Sequence, residues 1–285
     1  MITSSKFREN AMRVVFMLTA CVSIAAVVLI CVFLFASGIP TVKTIGFGNF
    51  LFGKTWAPSQ GIYGIFPMIV ASIFVTAGAI IIGVPLGLLC AIFLARFCPQ
   101  RLYRVLKPAA ELLAGIPSIV YGFFGLVVIV PLMQSLFGGS GKGMLTASIM
   151  LGIMILPTII NVSESALRAV PESYYEGSLA LGATHERSVF SAVLPAARSG
   201  ILAGVILGVG RAIGETMAVA MVAGNQPILP ESILSGVRTL TANIVQEMGY
   251  ATDLHREALI ACGVVLFVFI LIINLCFSAL KRREA

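Results

Sequence analysis

The chain has 285 residues, of which 59% are hydrophobic and only 11% are charged, and its mean hydropathy is +1.03. Soluble domains carry about 25% charged residues, so this composition excludes a soluble fold and predicts an all-α protein that forms a single membrane domain over residues 1–285. The net charge of +7 comes from basic residues scattered over short segments, which argues against a nucleic-acid-binding surface.

Six apolar stretches are long enough to form membrane-spanning helices, which need about 20 residues each. The second and third stretches contain Pro85, Pro117 and Pro131, so we expect kinks, tilt or a short re-entrant turn in them. No internal repeat divides the chain into two similar halves, and six helices therefore fit one subunit of a larger transporter. The predicted spans are residues 12–37, 65–97, 109–137, 144–162, 201–223 and 258–280.

The distribution of basic residues predicts how these spans are oriented. Of the nineteen Lys and Arg residues, thirteen lie at the N-terminus, in residues 96–107, in residues 168–198 and at the C-terminus, whereas the opposite loops hold five. Loops rich in Lys and Arg stay on the cytoplasmic side of the membrane. We therefore expect a multi-pass protein of the cytoplasmic (inner) membrane, with both termini and the long loop 163–200 in the cytoplasm.

Residues 138–143, between the third and fourth spans, superficially resemble a phosphate-binding loop. The Walker pattern requires Gly at the position of Leu136 and Ser or Thr at the position of Gly143, so the match fails twice. The six cysteines lie in or beside the apolar stretches without a CxxC pair, which predicts no metal site. We expect this chain to be no enzyme and to hold no cofactor, so that ATP-driven transport would need a partner ATPase.

The predicted loop 163–200 mixes charged residues with apolar ones at helical spacing, which is typical of short amphipathic helices. Such helices either meet a soluble partner or lie on the lipid surface, and the amphipathic pattern alone leaves both interpretations open. His185 in this loop, and His255 further along the chain, are lone histidines that we expect to be solvated.

One segment of this loop has a distinctive spacing. Glu176 is followed by two small residues, three further residues and Gly182, and Leu194 and Pro195 begin twelve residues after Gly182. Two small residues flatten one helix face, glycine permits a sharp turn between helices, and proline favours the start of the next element. The spacing resembles the EAA loop of ABC-transporter permease subunits, although Ala192 stands where Ile is usual. The resemblance implies that Glu176, Gly182, Leu194 and Pro195 couple the chain to an ATPase.

Two ionisable residues, Arg211 and Glu215, fall within the predicted fifth span one helical turn apart, so we expect them to share a face. A charge at bilayer depth costs between about 3 and more than 10 kcal/mol, and such residues therefore face a bundle interior or an aqueous path. We predict that both line the path of an anion, with mutual neutralisation in a structural pair as the alternative. The glycines of this span, expected to leave one helix surface without side chains, are Gly204, Gly208, Gly210 and Gly214.

Two further segments indicate which group of ABC-transporter permease subunits this chain resembles. Residues 111–122, Glu-Leu-Leu-Ala-Gly-Ile-Pro-Ser-Ile-Val-Tyr-Gly, and residues 211–219, Arg-Ala-Ile-Gly-Glu-Thr-Met-Ala-Val, resemble PstC-type permease subunits of phosphate-specific ABC importers. The sister PstA-type subunits usually have Ala-Pro where this chain has Met217 and Ala218. The resemblance implies the type I importer permease fold and a translocation path for inorganic phosphate. It also implies three kinds of partner: a PstA-type second permease, two PstB-type ATPase subunits and an extracytoplasmic PstS-type phosphate-binding protein.

Three alternatives remain open at this point. A permease for another oxyanion, such as molybdate or sulfate, would share the features described above. A stand-alone secondary transporter or channel would need no ATPase, and the loop that resembles a coupling element argues against it. A membrane scaffold would carry no flux, and the charged residues within the fifth span argue against that.

Overall fold

The computed structural model describes the backbone of residues 2–284 and the side chains of residues 9–276. It confirms the all-α prediction. The sheet within these residues is a two-stranded antiparallel hairpin formed by β1 (Trp56–Ala57) and β2 (Ile62–Tyr63). Some of the basic residues that enter the orientation prediction lie outside the described side chains, namely Lys6, Arg8 and residues 281–283.

Fourteen α-helices lie within residues 2–284, and several follow one another with only a short break between them. In chain order they are α1 (Ile2–Ile45), α2 (Phe47–Phe52), α3 (Phe66–Ile92), α4 (Gln100–Ala114), α5 (Ser118–Phe124), α6 (Val130–Phe137), α7 (Met144–Arg168), α8 (Glu172–Ala180), α9 (His185–Ser188), α10 (Leu194–Ala196), α11 (Arg198–Gly214), α12 (Met217–Val222), α13 (Leu240–Glu247) and α14 (Asp253–Glu284). Three π-helical turns connect some of them, at Phe93–Phe97, Gly125–Ile129 and Val189–Val193.

The number of membrane crossings agrees with the six predicted. Five helical stretches among the described residues are long and apolar enough to span a bilayer. Two further helical stretches, His185–Ala196 and Arg198–Gly214, meet at an angle of 71°. When this bent pair is counted as one span, the number of crossings is six.

Three of the predicted spans differ in extent from the helices of the structure. The third begins at Ser118 and not at residue 109, because a break that contains Pro117 separates it from the amphipathic α4. The fourth continues past residue 162 to Arg168, so that the predicted loop 163–200 begins six residues later. The fifth, predicted to be continuous to residue 223, breaks after Gly214.

Proline accounts for two of the π-helical turns. A proline inside a helix lacks an N–H, and its ring collides with the carbonyl of the preceding turn; a π-helical turn locally opens that hydrogen-bond ladder. Gly125–Ile129 ends two residues before Pro131, and Val189–Val193 ends two residues before Pro195. Pro85, in contrast, lies inside the unbroken helix α3, so no re-entrant turn forms there.

Helix α7 is the centre of the bundle. α3 packs closely along it because glycines remove the side chains at their contact. A Cβ atom at Gly83 would come within 2.7 Å of Ile155, and one at Gly87 within 2.9 Å of Ile159. The buried core therefore runs along α7, with α3, α5, α11 and α12 around it.

The long helix α1 contacts the bundle through its C-terminal half. The rings of Phe35 and of Phe267 in α14 meet edge to face with centroids 5.8 Å apart, and a Cβ atom at Gly38 would lie 2.5 Å from Val264. Residues 9–30 are exposed throughout, over about 33 Å of helix. An apolar helix in this arrangement requires lipid or another subunit around it.

The sidedness of the fold leads to a first prediction. Six crossings put both chain ends on the same side as α8–α10, and the β-hairpin on the opposite side. If Lys and Arg set the orientation, then in a cysteine-free variant a single cysteine at Ser59 or Gln226 should react with a membrane-impermeant thiol reagent added outside intact cells. A cysteine at Thr184 should react only after the membrane is opened. All three side chains are exposed, so the membrane, and not burial, decides their reactivity. The reverse labelling pattern would contradict the orientation.

Candidate functional site

Arg211 lies in the last turn of α11, where it is half-buried. Its guanidinium reaches α7, with Nη1 donating a long hydrogen bond of 3.4 Å to the hydroxyl of Thr158. Within the described side chains no carboxylate forms an ion pair with it. A guanidinium has five N–H donors, so most of the donors of Arg211 remain available to a ligand.

Glu215 does not share a helix face with Arg211, and this part of the prediction is wrong. α11 ends at Gly214, and Glu215 has an extended backbone with φ −70° and ψ 134°. Its Oε1 accepts a hydrogen bond of 3.1 Å from the backbone N–H of Ala218, and its carbonyl accepts one of 2.9 Å from Thr241. The carboxylate therefore satisfies an N–H at the start of α12. The structural ion pair considered as the alternative is not formed.

The break between α11 and α12 follows Gly214, the last residue of the sixth candidate span, and leaves backbone polar groups without helical partners. Inside a bilayer, non-helical backbone is tolerated where protein covers it or where it lines a water-filled cavity, and broken helices form the substrate sites of many transporters. A Cβ atom at Gly214 would meet nothing within 4 Å, and the same holds for Gly210 one turn earlier. Arg211 therefore lies next to open space at the break.

The four glycines of this segment line two helix surfaces, which corrects the expectation of one. Gly204 and Gly208 face α7, and a Cβ atom at Gly208 would lie 2.8 Å from Ile159. Gly210 and Gly214 face the open space. The corresponding members of the two pairs are six residues apart, and this separation corresponds to about 120° around a helix. The first pair permits close packing, and the second leaves room at the break.

The segment 111–122 packs α5 against α12. A Cβ atom at Gly122 would lie only 2.8 Å from the Cα of Ala218, so a larger residue would push the two helices apart. Beside it, the hydroxyl of Tyr121 donates a hydrogen bond of 2.8 Å to the carbonyl of Leu113 in α4. The two breaks, between α4 and α5 and between α11 and α12, are thus held close together.

The segment predicted to couple to an ATPase forms two short helices with a glycine turn between them. Gly182 follows α8 with φ +85°, in the left-handed region that favours glycine. Thr184 caps α9, since its hydroxyl accepts a hydrogen bond of 3.4 Å from the N–H of Arg187. Glu176 is exposed on α8. The local geometry agrees with the predicted turn, while the coupling role stays a prediction.

The apolar residues of this segment divide into a buried and an exposed set. Val189 and Val193 are buried against the end of α7, and Leu194 packs at the edge of the same cluster. Pro195 is exposed, and Leu181 beside the glycine turn is 91% exposed. One face of the helical pair therefore packs on the bundle, and apolar side chains near the turn remain uncovered.

The prediction of a loop beginning at residue 163 misses a buried carboxylate. Glu164 lies on α7 and is 1% exposed. It accepts hydrogen bonds of 3.0 Å from the hydroxyl of Tyr103 and from Nζ of Lys107, both in α4, and another from Arg168 one turn along α7. Three donors satisfy this carboxylate and fix α4 to α7. The four-residue spacing of Glu164 and Arg168 was the signal in the sequence that the helix continues.

Two arginines extend this network to α8. Arg168 donates a hydrogen bond of 2.9 Å to the carbonyl of Leu94, in the π-helical turn after α3. Arg96, in the same turn, donates to the carbonyl of Leu167 and lies 3.0 Å from the carboxylate of Glu172 at the start of α8. The end of α3, α4, the end of α7 and the start of α8 are therefore bonded to one another.

Both histidines are partly buried and lie within hydrogen-bond distance of a neighbouring side chain, which corrects the expectation of solvated histidines. Nδ1 of His185 lies 2.7 Å from the hydroxyl of Tyr175. Nε2 of His255 lies 2.8 Å from the carboxylate of Glu247, which is 6% exposed and also accepts a hydrogen bond from the indole N–H of Trp56. This second network ties the β-hairpin to α13 and α14.

A family model described as "Binding-protein-dependent transport system inner membrane component" matches residues 83–285. That range contains both breaks, the α8–α10 segment and the buried network around Glu164. Among its relatives, the chain is 41% identical to the "Probable ABC transporter permease protein YqgH" of Bacillus subtilis, over 92% of this chain and 89% of that protein. It is 38% identical to the "Phosphate transport system permease protein PstC" of Mesorhizobium japonicum, over 88% and 84% of the two chains.

Solved structures share the fold. A chain of the inward-facing methionine ABC transporter MetNI matches with a TM-score of 0.64 and 20% identity, over 81% of this chain and all of that one. A chain of a bacterial alginate ABC transporter matches with a TM-score of 0.64 and 15% identity, over 93% and 94%. At these identities the likeness shows the fold, which is that of ABC importer permeases.

Proposed function

We propose that this chain, which belongs to the family of binding-protein-dependent transport system inner membrane components, conducts inorganic phosphate as one of the two permease subunits of its importer. The chain is a permease subunit of an ABC importer and not an enzyme, so ATP is hydrolysed by a partner ATPase. Membership of this family contradicts the two alternatives of a stand-alone transporter or channel and of a scaffold without flux.

The observation that carries the proposal is the position of Arg211. It is a permanent cation, lies next to open space at the break that ends the sixth candidate span, and has one long hydrogen bond to Thr158 and no carboxylate partner among the described side chains. A guanidinium presents paired donors that match a tetrahedral oxyanion and keeps its charge near neutral pH. It therefore lowers the barrier to an anion where a lone charge is costly. Several relatives, such as those of Mesorhizobium japonicum and Pasteurella multocida, carry the name of a phosphate permease.

The partners we propose follow from the same relatives. A PstA-type permease would complete the path, a PstS-type protein would deliver phosphate from outside, and two PstB-type ATPases would drive the cycle. The surface at the α8–α9 turn supports a contact with the ATPase because Leu181 is 91% exposed and Glu176 lies on the same uncovered segment. An apolar side chain exposed to this degree on a charged segment is typical of an interaction site.

A permease for sulfate or molybdate is the second candidate. Arg211 would serve any tetrahedral oxyanion, and the name of the relative from Bacillus subtilis specifies no solute. The feature that we propose to favour phosphate is Glu215, which lies at the same break although not on the helix face of Arg211. Phosphate carries a proton near neutral pH and can donate a hydrogen bond to a carboxylate, whereas sulfate has none and meets a like charge.

The test is uptake by the complete importer in proteoliposomes, with labelled phosphate in competition with sulfate and molybdate. The native importer should retain phosphate uptake against an excess of either competitor. Glu215→Gln keeps an oxygen for the N–H of Ala218 but removes the charge, so we expect reduced phosphate uptake or sulfate competition that rises about tenfold, since a like-charge contact costs at least about 1.4 kcal/mol.

Glu231→Gln is the control, because Glu231 is exposed and belongs to neither α11 nor α12. If sulfate or molybdate enters in preference to phosphate, the proposed solute is wrong. If Glu215→Gln leaves both rate and selectivity unchanged, Glu215 serves only to hold the start of α12.

A further inference from the structure

An apolar groove of about 370 Å³ lies between α1, α2 and α14, away from Arg211 and from the α8–α10 segment. Its walls are aliphatic and aromatic side chains, among them Ile39 of α1, Phe50 of α2 and Val268 of α14. Among the described residues that line it, Lys43 is the one charged member. The groove opens on the outer surface of the bundle, where both α1 and α14 are membrane spans.

One end of the groove is charged and the other is apolar. The charged end lies nearer the membrane surface, and the apolar end lies nearer the hydrocarbon interior. α1 and α14 pack antiparallel here, because the hydroxyl of Thr41 lies 3.3 Å from the carboxylate of Glu257 while Gly38 packs on Val264. The Lys43 end therefore lies level with the polar first turns of α14. Ile39, four residues or about 6 Å along α1, lies toward the hydrocarbon part of the span.

Lys43 has no anionic partner in the part of the chain whose side chains are described, and it is exposed. Phe47 in the adjoining α2 is 66% exposed, and exposed aromatic residues at the end of a span are typical of the membrane interface. At that level the abundant anions are the phosphates of lipid headgroups. A basic side chain over an apolar crevice thus matches the polarity of a phospholipid.

We propose that the groove is a phospholipid site, in which an acyl chain fills the apolar part between α1, α2 and α14 and the ammonium of Lys43 binds the phosphate of an anionic headgroup. An apolar helix of a partner permease would fit the walls equally well, but it would bring no negative charge to Lys43. The site is independent of the transported solute. It holds α1, whose residues 9–30 are exposed throughout, to the bundle at the outer end of the span.

The test uses the complete importer extracted from membranes that contain both phosphatidylglycerol and phosphatidylethanolamine, with retained lipids measured by native mass spectrometry. We expect phosphatidylglycerol to be enriched on the native complex. Lys43→Gln should lower this enrichment about fivefold, the factor expected for one lysine near a charged headgroup. Lys54→Gln is the matched control, because Lys54 is an exposed lysine of the same outer segment that does not line the groove, and it should retain the native enrichment.

A second measurement identifies the occupant directly. A photo-crosslinking benzoylphenylalanine in place of Val268 should form adducts with phospholipid in the assembled importer. Adducts with the partner permease instead would overturn the proposal, because the groove would then be a subunit contact. Equal retention of phosphatidylglycerol by the native and Lys43→Gln importers would overturn it as well.

Discussion

Replacing Arg211 by glutamine should abolish phosphate uptake while the importer still assembles. In the proposed path the native guanidinium compensates the charge of an anion at the break between α11 and α12, and glutamine offers hydrogen bonds without that charge. Loss of one partner of a desolvated charge pair costs about 2–5 kcal/mol, so uptake should fall by a factor between about 30 and several thousand. The measurement is the initial rate of labelled phosphate uptake into proteoliposomes.

Assembly should survive this substitution for a structural reason. Arg211 forms no ion pair among the described side chains, and its one hydrogen bond, to Thr158, is long. Its removal therefore leaves no buried carboxylate without a partner, which is the usual cause of severe destabilisation. Co-purification of the other subunits with the variant checks this point.

Two controls separate charge from geometry. Arg211→Lys keeps a positive charge but loses the planar fork of donors, so uptake should recover only in part and with weaker discrimination between oxyanions. Arg256→Gln removes an exposed arginine at the polar start of α14 and should transport at the native rate. If Arg211→Gln transports phosphate at the native rate, Arg211 has a structural role and the anion-path hypothesis fails.

Replacing Gly182 by aspartate should separate ATP hydrolysis from transport. Gly182 is exposed, and a Cβ atom there would meet nothing within 4 Å in this chain, so the new side chain points into the space that a partner would occupy. The substitution also strains the turn, because φ is +85° and a non-glycine residue there costs about 1–2 kcal/mol. We expect phosphate uptake to fall by at least about tenfold while the ATPase remains active.

Two further variants, Gly182→Ala and Leu181→Asp, separate the effect of backbone strain on uptake from the effect of an added charge. Alanine introduces the backbone strain without bulk or charge, and aspartate at the 91% exposed Leu181 introduces charge without strain. Gly177→Ala is the neutral control, since Gly177 is exposed, has open space around it and lacks a positive φ. Comparison of ATPase rate with uptake in the same proteoliposomes gives the coupling. Normal uptake and normal assembly in Gly182→Asp would contradict the coupling role of this turn.

Local composition and short spacings are sufficient to predict several features of this protein. The number of spans follows from apolar length alone, because a helix crosses a bilayer when about 20 residues can be buried in lipid. The turn at Gly182 is predictable because a positive φ is a property of one residue and its neighbours. The family resemblance likewise depends on contiguous segments, 111–122 and 211–219.

Only the tertiary structure decided the details of the candidate path. A four-residue spacing predicts that Arg211 and Glu215 share a helix face, but the helix ends at Gly214 because Glu215 finds partners elsewhere: the N–H of Ala218 and the hydroxyl of Thr241, 26 residues away. The energy of such a break depends on contacts between α5, α12 and α13, and no local pattern contains that information.

The same reason explains the charged network at the end of α7. From the neighbouring sequence alone, Glu164 is an acidic residue in a charged segment, and such a residue is ordinarily expected to be exposed to solvent. It is buried because Tyr103 and Lys107, 61 and 57 residues earlier, lie on a helix that packs beside it and supply the hydrogen bonds that offset its desolvation. A carboxylate can be buried only where its donors converge, and convergence of distant segments is a property of the fold.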